Sequence, residues 1–234
     1  MRLSVIIPAY NEIKTIREII KRVKNVDLSK EIIIVDDGSK DGTRDFLKKL
    51  EDPEIKVFFN KKNYGKSHSV RVGIREAEGD IIIIQDADLE YNPNDYYKLV
   101  QPIISGKTKV VYGTRFPKNK GHPSLFHSYM PLINPYYFAN KILTILSNIL
   151  YNADITDEPT CYKVFDTKVL KNLNLKSERF EFCPEVTAKV KKKGYKIHEI
   201  PISYYPRTTK EGKKINWKDG FEAIWTLIKY RFHD

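Results

Sequence analysis

Three acidic side chains in the stretch 85–90, QDADLE, have the chemistry and the spacing to bind a metal ion. Asp86, Asp88 and Glu90 follow the apolar run 81–84 at alternate positions. In an extended backbone, alternate side chains point to one side, so these carboxylates can converge on one hard cation. No His or Cys lies nearby to favour zinc, so we predict Mg²⁺ or Mn²⁺, completed by substrate phosphates.

A second acidic pair, Asp36 and Asp37, follows the apolar run 32–35. A carboxylate at the end of a strand can hydrogen-bond the ribose or base of a nucleotide. On this basis we assign Asp37 to nucleotide binding and leave Asp36 unassigned. Neither GxGxxG nor the P-loop pattern occurs, which disfavours a dinucleotide dehydrogenase and a P-loop NTPase.

The elements that must position these motifs are indicated by short β-branched runs that alternate with longer amphipathic stretches. The apolar runs are residues 3–7, 32–35, 55–59, 81–84 and 110–112. Runs that are apolar on both faces are typical of a parallel sheet between two layers of helices, so we predict an α/β fold with a mostly parallel sheet. The polar residues after each run then meet at the carboxyl edge of the sheet, where open α/β folds bind ligands.

The pattern changes after Arg115, where a Pro-, His- and aromatic-rich stretch leads into an apolar helix near 138–151. Further segments predict a helix, an extended stretch, a basic loop and a last helix, at 182–193, 196–205, 207–214 and from 217. No internal repeat or Gly/Ser linker interrupts the chain. Residues 1–234 are therefore predicted to form one domain with a specialised second half.

The chain of 234 residues carries 41 Lys and Arg against 30 Asp and Glu, a net charge of +11. Residues 189–231 hold 12 basic and 4 acidic side chains, so +8 of the excess lies in this segment. Such an excess favours an anionic partner. With 41% hydrophobic residues the chain can bury a sizeable core, which excludes a disordered basic tail.

Two cysteines, Cys161 and Cys183, are too few for a disulfide scaffold and fit a reducing, cytoplasmic compartment. We predict no signal peptide, because the apolar run near the N-terminus is too short. We predict no membrane span either, because polar residues interrupt the apolar stretch 135–150.

Three motifs in this order and spacing resemble family 2 glycosyltransferases of the GT-A fold: VIIPAYNE at 5–12, IVDDGSKDGT at 34–43 and QDADLEY at 85–91. Further segments resemble the polyprenyl-phosphate group of that family, which includes dolichol-phosphate mannosyltransferases. These are VVYGTRF at 110–116, TDEPTCYKVF at 156–165, residues 180–208 and EGKKINWKDGF at 211–221. The likeness covers nearly the whole chain.

The resemblance implies a GT-A, Rossmann-like sheet, with residues 1–115 binding a nucleotide sugar and 116–234 forming an acceptor-side extension. It implies that the nucleotide base and ribose lie between two groups of residues, Pro8, Ala9, Tyr10 and Glu12 on one side and Val35 and Asp37 on the other. It assigns the metal and the donor diphosphate to Asp86, Ala87, Asp88 and Glu90. Several relatives have Gln where this chain has Glu90.

The resemblance also assigns residues to phosphate groups. Arg115 matches an Arg at the junction of donor and acceptor phosphates. Arg207, with Lys213 or Lys214, matches a basic loop that closes over the donor diphosphate. In the acceptor loop, Thr160 and Lys163 are assigned to the acceptor phosphate, and the implied catalytic residues are Asp88, Arg115 and Arg207. Asp157 is a further catalytic candidate, on the acid-base grounds given next.

The implied reaction is metal-dependent, inverting transfer of a hexose to polyprenyl or dolichyl phosphate at the cytoplasmic membrane surface, with mannose from GDP-mannose as the first expectation. A phosphate monoester has a second pKa of about 6, so such an acceptor is largely dianionic and needs no base. A sugar hydroxyl would need a general base, and Asp157 or Glu158 is the candidate, although turn chemistry before Pro159 also explains both.

Three alternatives remain open at this point. The first is the same fold with UDP-glucose or another donor, or with a glycan hydroxyl as acceptor. The second is a non-enzymatic basic domain that binds nucleic acid, but no nucleic-acid-binding motif is visible, so we predict no nucleic-acid partner. The third is a nucleotidyltransferase, which lacks the Gly- and Arg-rich N-terminal motif expected of it.

Apolar residues of the last helix share one face: Trp217, Phe221, Ile224, Trp225 and Ile228. A face of this kind lies on a bilayer surface or packs as core, and the stretch 135–150 has the same two interpretations. The protein is therefore expected to be peripheral to the membrane or to depend on a membrane-anchoring subunit.

Overall fold

The computed structural model describes residues 1–117, 135–207 and 217–233, without the side chains of Pro135, Tyr136 and Trp217. Seven strands of these residues form one sheet in the order β3-β2-β1-β4-β6-β5-β7. Their bounds are β1 Leu3–Ala9, β2 Lys30–Asp36, β3 Ile55–Phe59, β4 Ile81–Ile84, β5 Val110–Thr114, β6 Lys163–Asp166 and β7 Ile197–Pro201.

The sheet is mostly parallel, as the sequence predicts. β1 pairs in parallel with β2 on one side and with β4 on the other, and β2 pairs with β3. β7 is parallel to β5, but β6 lies between β4 and β5 and is antiparallel to both. Because a fully buried strand is apolar on both faces whichever way it runs, the sequence pattern does not indicate this reversal.

Helices separate the strands and supply the second layer of the core. Their bounds are α1 Ile16–Lys24, α2 Thr43–Lys48, α3 Lys66–Glu76, α4 Tyr96–Ile104, α5 Pro135–Tyr151, α6 Thr167–Lys171, α7 Phe182–Lys192 and α8 Trp217–Phe232. Every residue of β2 and β4 is buried, which confirms that these strands are covered on both faces. The short helix α6 is the one described helix that the sequence patterns did not predict.

A second apolar cluster forms where α5, α7 and α8 pack together. Leu143 and Tyr151 of α5 meet Ala188 of α7 and Leu227 and Tyr230 of α8. The Tyr151 hydroxyl donates to the Leu227 carbonyl over 2.5 Å, which fixes α5 against α8. Within the described part of the chain, no helix has the length and apolarity needed to cross a bilayer.

Candidate active site

The candidate site lies where the strand order reverses, at the carboxyl ends of β1, β2 and β4. Pro8 and Ala9 end β1, and the Ala9 carbonyl accepts a hydrogen bond of 2.8 Å from the Asp37 amide. Val35 lies opposite Pro8 in the register and is fully buried. The edge therefore places the motifs after β1, β2 and β4 side by side, as the sequence predicts.

The two Asp residues after β2 have different partners. Asp36 is fully buried and pairs with the Arg44 guanidinium at 2.6 Å, so it stabilises the turn after β2. Asp37 accepts from the Asn60 side-chain amide at 2.7 Å and from the Gly65 backbone at 2.8 Å. Asp37 thus fixes the loop before α3 beside the crevice, and its contact with a nucleotide stays a prediction.

The segment after β4 is a turn. The prediction of an extended backbone through residues 86–90 is therefore wrong. Leu89 has a φ of 65°, in the left-handed region that non-Gly residues seldom adopt. Ala87 is buried, and Asp86 pairs with the Lys66 ammonium at 2.5 Å. In the described ranges, no three His, Cys, Asp or Glu side chains are grouped to hold a metal ion.

Glu90 contacts the segment that precedes the basic loop. One carboxylate oxygen accepts from the Arg207 backbone amide at 2.8 Å, and the other accepts from the Tyr204 hydroxyl at 2.9 Å. The Glu90 carbonyl also accepts from the Tyr205 amide at 2.8 Å. The Glu90 carboxylate therefore joins the acidic turn to residues 204–207 in this structure, and its predicted contact with a metal ion stays a prediction.

Asp88 is the carboxylate of the turn whose negative charge lies in the least favourable surroundings. Burial and the neighbouring charges of Asp86 and Glu90 raise the pKa of Asp88 to about 7, although Arg207 opposes the shift. A carboxylate in such surroundings gains from a cation beside it. Two carboxylates with hard oxygen donors fit Mg²⁺ or Mn²⁺, which take one or two protein carboxylates and complete their coordination with phosphate and water.

The cation that contacts Asp88 in the structure is Arg207. Its guanidinium lies 3.2 Å from Asp88 Oδ2 and 3.3 Å from Glu12 Oε2, so it joins the β1 motif to the acidic turn. Glu12 also accepts from the Thr15 hydroxyl at 2.9 Å. The structure therefore brings together Glu12, Asp88 and Arg207, whereas Lys213 and Lys214 lie outside the described residues.

Arg115 and Asp157 form a buried, two-pronged ion pair. Arg115 Nε lies 2.7 Å from Asp157 Oδ2, and Arg115 Nη2 lies 2.8 Å from Asp157 Oδ1. Glu199 of β7 accepts from the Asp157 amide at 3.2 Å, which attaches the loop that contains Asp157 to the sheet. Neither sequence interpretation of Asp157, a base or a turn residue, foresaw this pairing over 42 positions.

The guanidinium of Arg115 lies 4.9 Å from the centre of the Tyr204 ring, whose hydroxyl contacts Glu90. Tyr204 thus joins the Arg115 pair to the acidic turn. Sequence reasoning singled out neither Tyr204, Lys66 nor Glu199. Tyr204 and Glu199 lie in the segment 180–208, which carries the family resemblance, and this was the one available signal; Lys66 has none.

The predicted acceptor residues Thr160 and Lys163 are both fully buried. The Lys163 ammonium donates to the carbonyls of Glu158 and Thr160 at 2.5 and 3.2 Å and lies 4.0 Å from the Tyr112 ring centre. The Lys163 ammonium is therefore enclosed beneath the loop 158–160, and its contact with an acceptor phosphate stays a prediction. Thr160 Oγ1 is buried without a hydrogen-bond partner among the described residues.

Glu158→Gln is expected to flatten the dependence of stability on pH. Burial raises the pKa of Glu158 above its ordinary 4.5, and the Lys163 ammonium opposes the shift only in part. A raised folded pKa stabilises the protein below pH 4.5, and this stabilisation is lost as the pH rises through that pKa. Gln stays neutral throughout, so unfolding by urea between about pH 5 and 8 should show a smaller loss of stability than in the wild type.

The exposed Glu51 provides the matched control for this measurement, because Glu51→Gln removes a carboxylate that is not buried. It should keep the wild-type pH dependence. An equally steep loss of stability in Glu158→Gln would contradict the prediction and assign the pH dependence to other groups.

A family model described as glycosyl transferase family 2 matches residues 4–173 of this chain. The chain belongs to glycosyl transferase family 2. This glycosyltransferase is 30% identical over 245 aligned positions to a UDP-N-acetylglucosamine–dolichyl-phosphate N-acetylglucosaminyltransferase of Methanococcus voltae, covering 97% of this chain and 94% of the relative. It is also 30% identical to a dolichol-phosphate mannosyltransferase of Pyrococcus furiosus, covering 98% of this chain and 64% of that protein.

Solved structures share the fold of this glycosyltransferase. Glucosyl-3-phosphoglycerate synthase of Mycobacterium tuberculosis, crystallised with Mn²⁺, UDP and glucosyl-3-phosphoglycerate, superposes with a TM-score of 0.71. The match covers 100% of this chain and 81% of that chain at 18% identity. The predicted GT-A, Rossmann-like fold is thereby confirmed, and the family match with its glycosyltransferase relatives confirms the prediction that the chain is an enzyme of this family.

Proposed function

We propose that this glycosyltransferase moves a hexose from a nucleoside diphosphate sugar to a polyprenyl or dolichyl phosphate, with inversion, at the cytoplasmic surface of a membrane. The Arg115–Asp157 pair is the observation that carries the acceptor assignment. A hydroxyl acceptor needs a carboxylate base, whereas a lipid phosphate is largely dianionic, with a second pKa of about 6. Asp157 is already paired with Arg115, and Glu158 is fully buried beside Thr187.

The relatives support the same acceptor and differ in the sugar. Both relatives described above are named for dolichyl or dolichol phosphate. The Methanococcus relative is also named for UDP-N-acetylglucosamine, and the Pyrococcus relative for mannose. GDP-mannose remains our first expectation from the motifs. The Methanococcus relative, matched over 94% of its length, favours a UDP-sugar as the second candidate donor.

In the proposed reaction, residues 1–115 bind the donor and residues 116–234 approach the acceptor. Glu12 and Asp37 would face the nucleotide, and Asp86 and Asp88 would hold Mg²⁺ or Mn²⁺. A bound ion of this kind stabilises the negative charge that develops on the leaving diphosphate. Arg207 adds positive charge on the same side, because its guanidinium already lies beside Asp88.

Arg115 serves the acceptor in this proposal. Asp157 holds the guanidinium in one orientation, and Tyr204 packs against it, so its position is fixed before substrate binds. A fixed guanidinium can align a phosphate without losing side-chain entropy at the moment of reaction. An oxygen of the acceptor phosphate then attacks the anomeric carbon while the bond from that carbon to the donor diphosphate breaks, and no proton is transferred to the protein.

The function is tested by incubating the enzyme with polyprenyl phosphate, Mn²⁺ or Mg²⁺, and labelled GDP-mannose, UDP-glucose or UDP-N-acetylglucosamine. Label in an organic-extractable, mild-acid-labile product with one donor is the expected result. Unphosphorylated polyprenol is the matched control and should stay unlabelled. Transfer to the free alcohol would contradict the acceptor assignment, and transfer with none of the donors would contradict the function.

The outer faces of α5 and α8 support contact with a membrane. Both helices bury one face in the α5–α7–α8 cluster and leave a second apolar face exposed. The exposed side chains repeat at intervals of three and four residues: Phe138, Ile142, Ile145 and Ile149 on α5, and Phe221, Trp225, Ile228 and Phe232 on α8. Exposed Lys and Arg flank them at Lys141, Lys218, Lys229 and Arg231.

We therefore propose that an anionic bilayer surface covers these two faces, because basic residues around an apolar stripe suit a lipid surface. Of the predicted face of α8, Phe221, Trp225 and Ile228 are exposed, whereas Ile224 packs against the cluster that contains Ala223 and Leu227. Both cysteines are free thiols, which fits the reducing side of a membrane. Whether a further subunit anchors the enzyme stays a prediction.

Replacing Phe221 and Trp225 together by Ser is expected to lower partitioning onto phosphatidylglycerol vesicles at least about tenfold, since each buried aromatic contributes roughly 1.5–3 kcal/mol. Both side chains are more than 60% exposed, at 68% and 64%, so thermal stability should be unchanged. Sedimentation with vesicles measures the partitioning. Ile104→Ser, at an exposed apolar residue of α4, is the matched control and should bind like the wild type; equal partitioning of all three proteins would contradict the proposal.

A further inference from the structure

Arg207 lies at the meeting point of the β1 motif and the acidic turn. We infer that its guanidinium occupies the cation position beside Asp88 and excludes a divalent ion until a nucleoside diphosphate binds. This inference rests on the proposed function, because it concerns the metal and donor site assigned there. It makes Arg207 the residue that couples metal binding to donor binding.

The contacts of Arg207 with its carboxylates are long. Nη2 lies 3.2 Å from Asp88 Oδ2, and the two contacts with Glu12 measure 3.3 and 3.4 Å. Charge-assisted hydrogen bonds of this type are usually about 2.7–2.9 Å. Arg115 reaches that range, at 2.7 and 2.8 Å from Asp157. The Arg207 guanidinium is therefore held loosely enough to be displaced, while that of Arg115 is fixed.

The backbone of Arg207 is anchored separately from its side chain. Glu90 accepts from the Arg207 amide at 2.8 Å and from the Tyr204 hydroxyl at 2.9 Å, and its carbonyl accepts from the Tyr205 amide. The guanidinium can therefore leave Asp88 by side-chain rotation while the main chain keeps its place beside the turn. The exchange of cations needs no opening of the fold.

One hydrogen-bond donor of Arg207 indicates which kind of ligand would cause the exchange. Its Nε is buried and has no hydrogen-bond partner within residues 1–117, 135–207 and 217–233. A buried donor without an acceptor is unfavourable, and phosphate oxygens are strong acceptors for the guanidinium fork. A diphosphate entering beside Asp88 supplies such oxygens and draws the guanidinium towards itself.

Charge determines the sign of the coupling. A divalent ion on Asp88 without nucleotide would share its carboxylate oxygen with the Arg207 guanidinium, so the two cations repel each other and compete. A diphosphate adds negative charge that both cations can bind. Arg207 therefore lowers metal affinity in the free enzyme and strengthens the mutual dependence of metal and nucleotide binding, which is reciprocal by linkage.

The test measures Mn²⁺ binding from the free-ion EPR signal, first without nucleotide and then with UDP or GDP. Arg207→Gln should bind Mn²⁺ alone at least tenfold more tightly than the wild type. Arg207→Lys keeps the charge and should remain weak. Arg22→Gln removes an exposed Arg that pairs with Glu18 on α1, and it should match the wild type as a control.

The gain in Mn²⁺ affinity should disappear when Asp88→Asn is combined with Arg207→Gln, which shows that the ion binds at Asp88. Equal or weaker binding of Mn²⁺ alone by Arg207→Gln, in a protein with an unchanged melting temperature, overturns the inference. If the lipid-transfer assay is then positive, the proposed function stands without it. Absence of lipid transfer with every donor, together with Mn²⁺ binding by no protein under any condition, overturns both.

Discussion

Asp88→Asn is expected to lower kcat/KM for hexose transfer by about a thousandfold or more, the scale of losing a group that stabilises a developing charge. Asn keeps the shape of Asp88 and removes the charge that contacts Arg207 and would hold the metal ion. Because the Asp88 side chain is partly exposed, at 15%, the fold should persist. Initial rates with varied donor and Mn²⁺ measure the effect.

Glu90→Gln distinguishes the role of Asp88 from that of its neighbour. Gln can still accept from the Arg207 amide with its carbonyl oxygen and can donate from its amide nitrogen to the Tyr204 hydroxyl oxygen, but both hydrogen bonds lose the carboxylate charge. We expect a loss of about tenfold, seen mainly in the KM for the donor, because neutral hydrogen bonds position residues 204–207 more weakly. A loss of kcat/KM as large as that of Asp88→Asn would instead support the prediction that Glu90 binds the metal ion together with Asp86 and Asp88. Asp45→Asn, at an exposed residue of α2, should be unchanged and serves as the control.

The position of the site could be predicted from sequence because it depends on local patterns. Apolar runs of four or five residues lie within β1, β2 and β4, and the acidic motifs that follow them in the chain meet at one edge of the sheet. A parallel arrangement places all carboxyl ends together, so knowing the elements was enough to place Glu12, Asp37 and Asp88.

The partners of these residues could not be predicted, because they depend on contacts between distant segments. Asp157 meets Arg115 across 42 positions, and Arg207 meets Glu12 across 195. Nothing in the residue types marks Asp157 as a partner of Arg115. The positive φ of Leu89 also has no signal, since Gly or Asn would be the usual residue there. Extended backbone was consequently assumed where the chain turns.

The burial of Lys163 also has no signal in the sequence, for a related reason. Lys side chains are ordinarily exposed, and a Lys that is fully buried without a paired charge is rare. Here the ammonium is satisfied by the carbonyls of Glu158 and Thr160 and by the face of Tyr112. Two of these groups belong to the loop itself, so Lys163 supports the loop that carries Asp157.

Asp157→Leu is expected to destabilise the protein by about 3–5 kcal/mol, because the Arg115 guanidinium stays buried without its partner. For a chain of this length the midpoint of thermal unfolding should fall by roughly 10 °C. Arg115 is 7% exposed and Asp157 1%, so solvent does little to replace the lost contacts. Calorimetry together with the lipid-transfer assay measures both consequences. Loss of activity in this variant therefore carries no information about a general base.

The double variant Arg115→Met/Asp157→Leu separates the structural role of the pair from its role in transfer. Replacing a buried ion pair by apolar residues of similar volume is often neutral, so most of the lost stability should return. Transfer should not return, because the guanidinium assigned to the acceptor phosphate is gone, and the KM for polyprenyl phosphate should rise. A stable double variant with wild-type transfer would show that the pair only supports the loop. The acceptor phosphate would then need another partner.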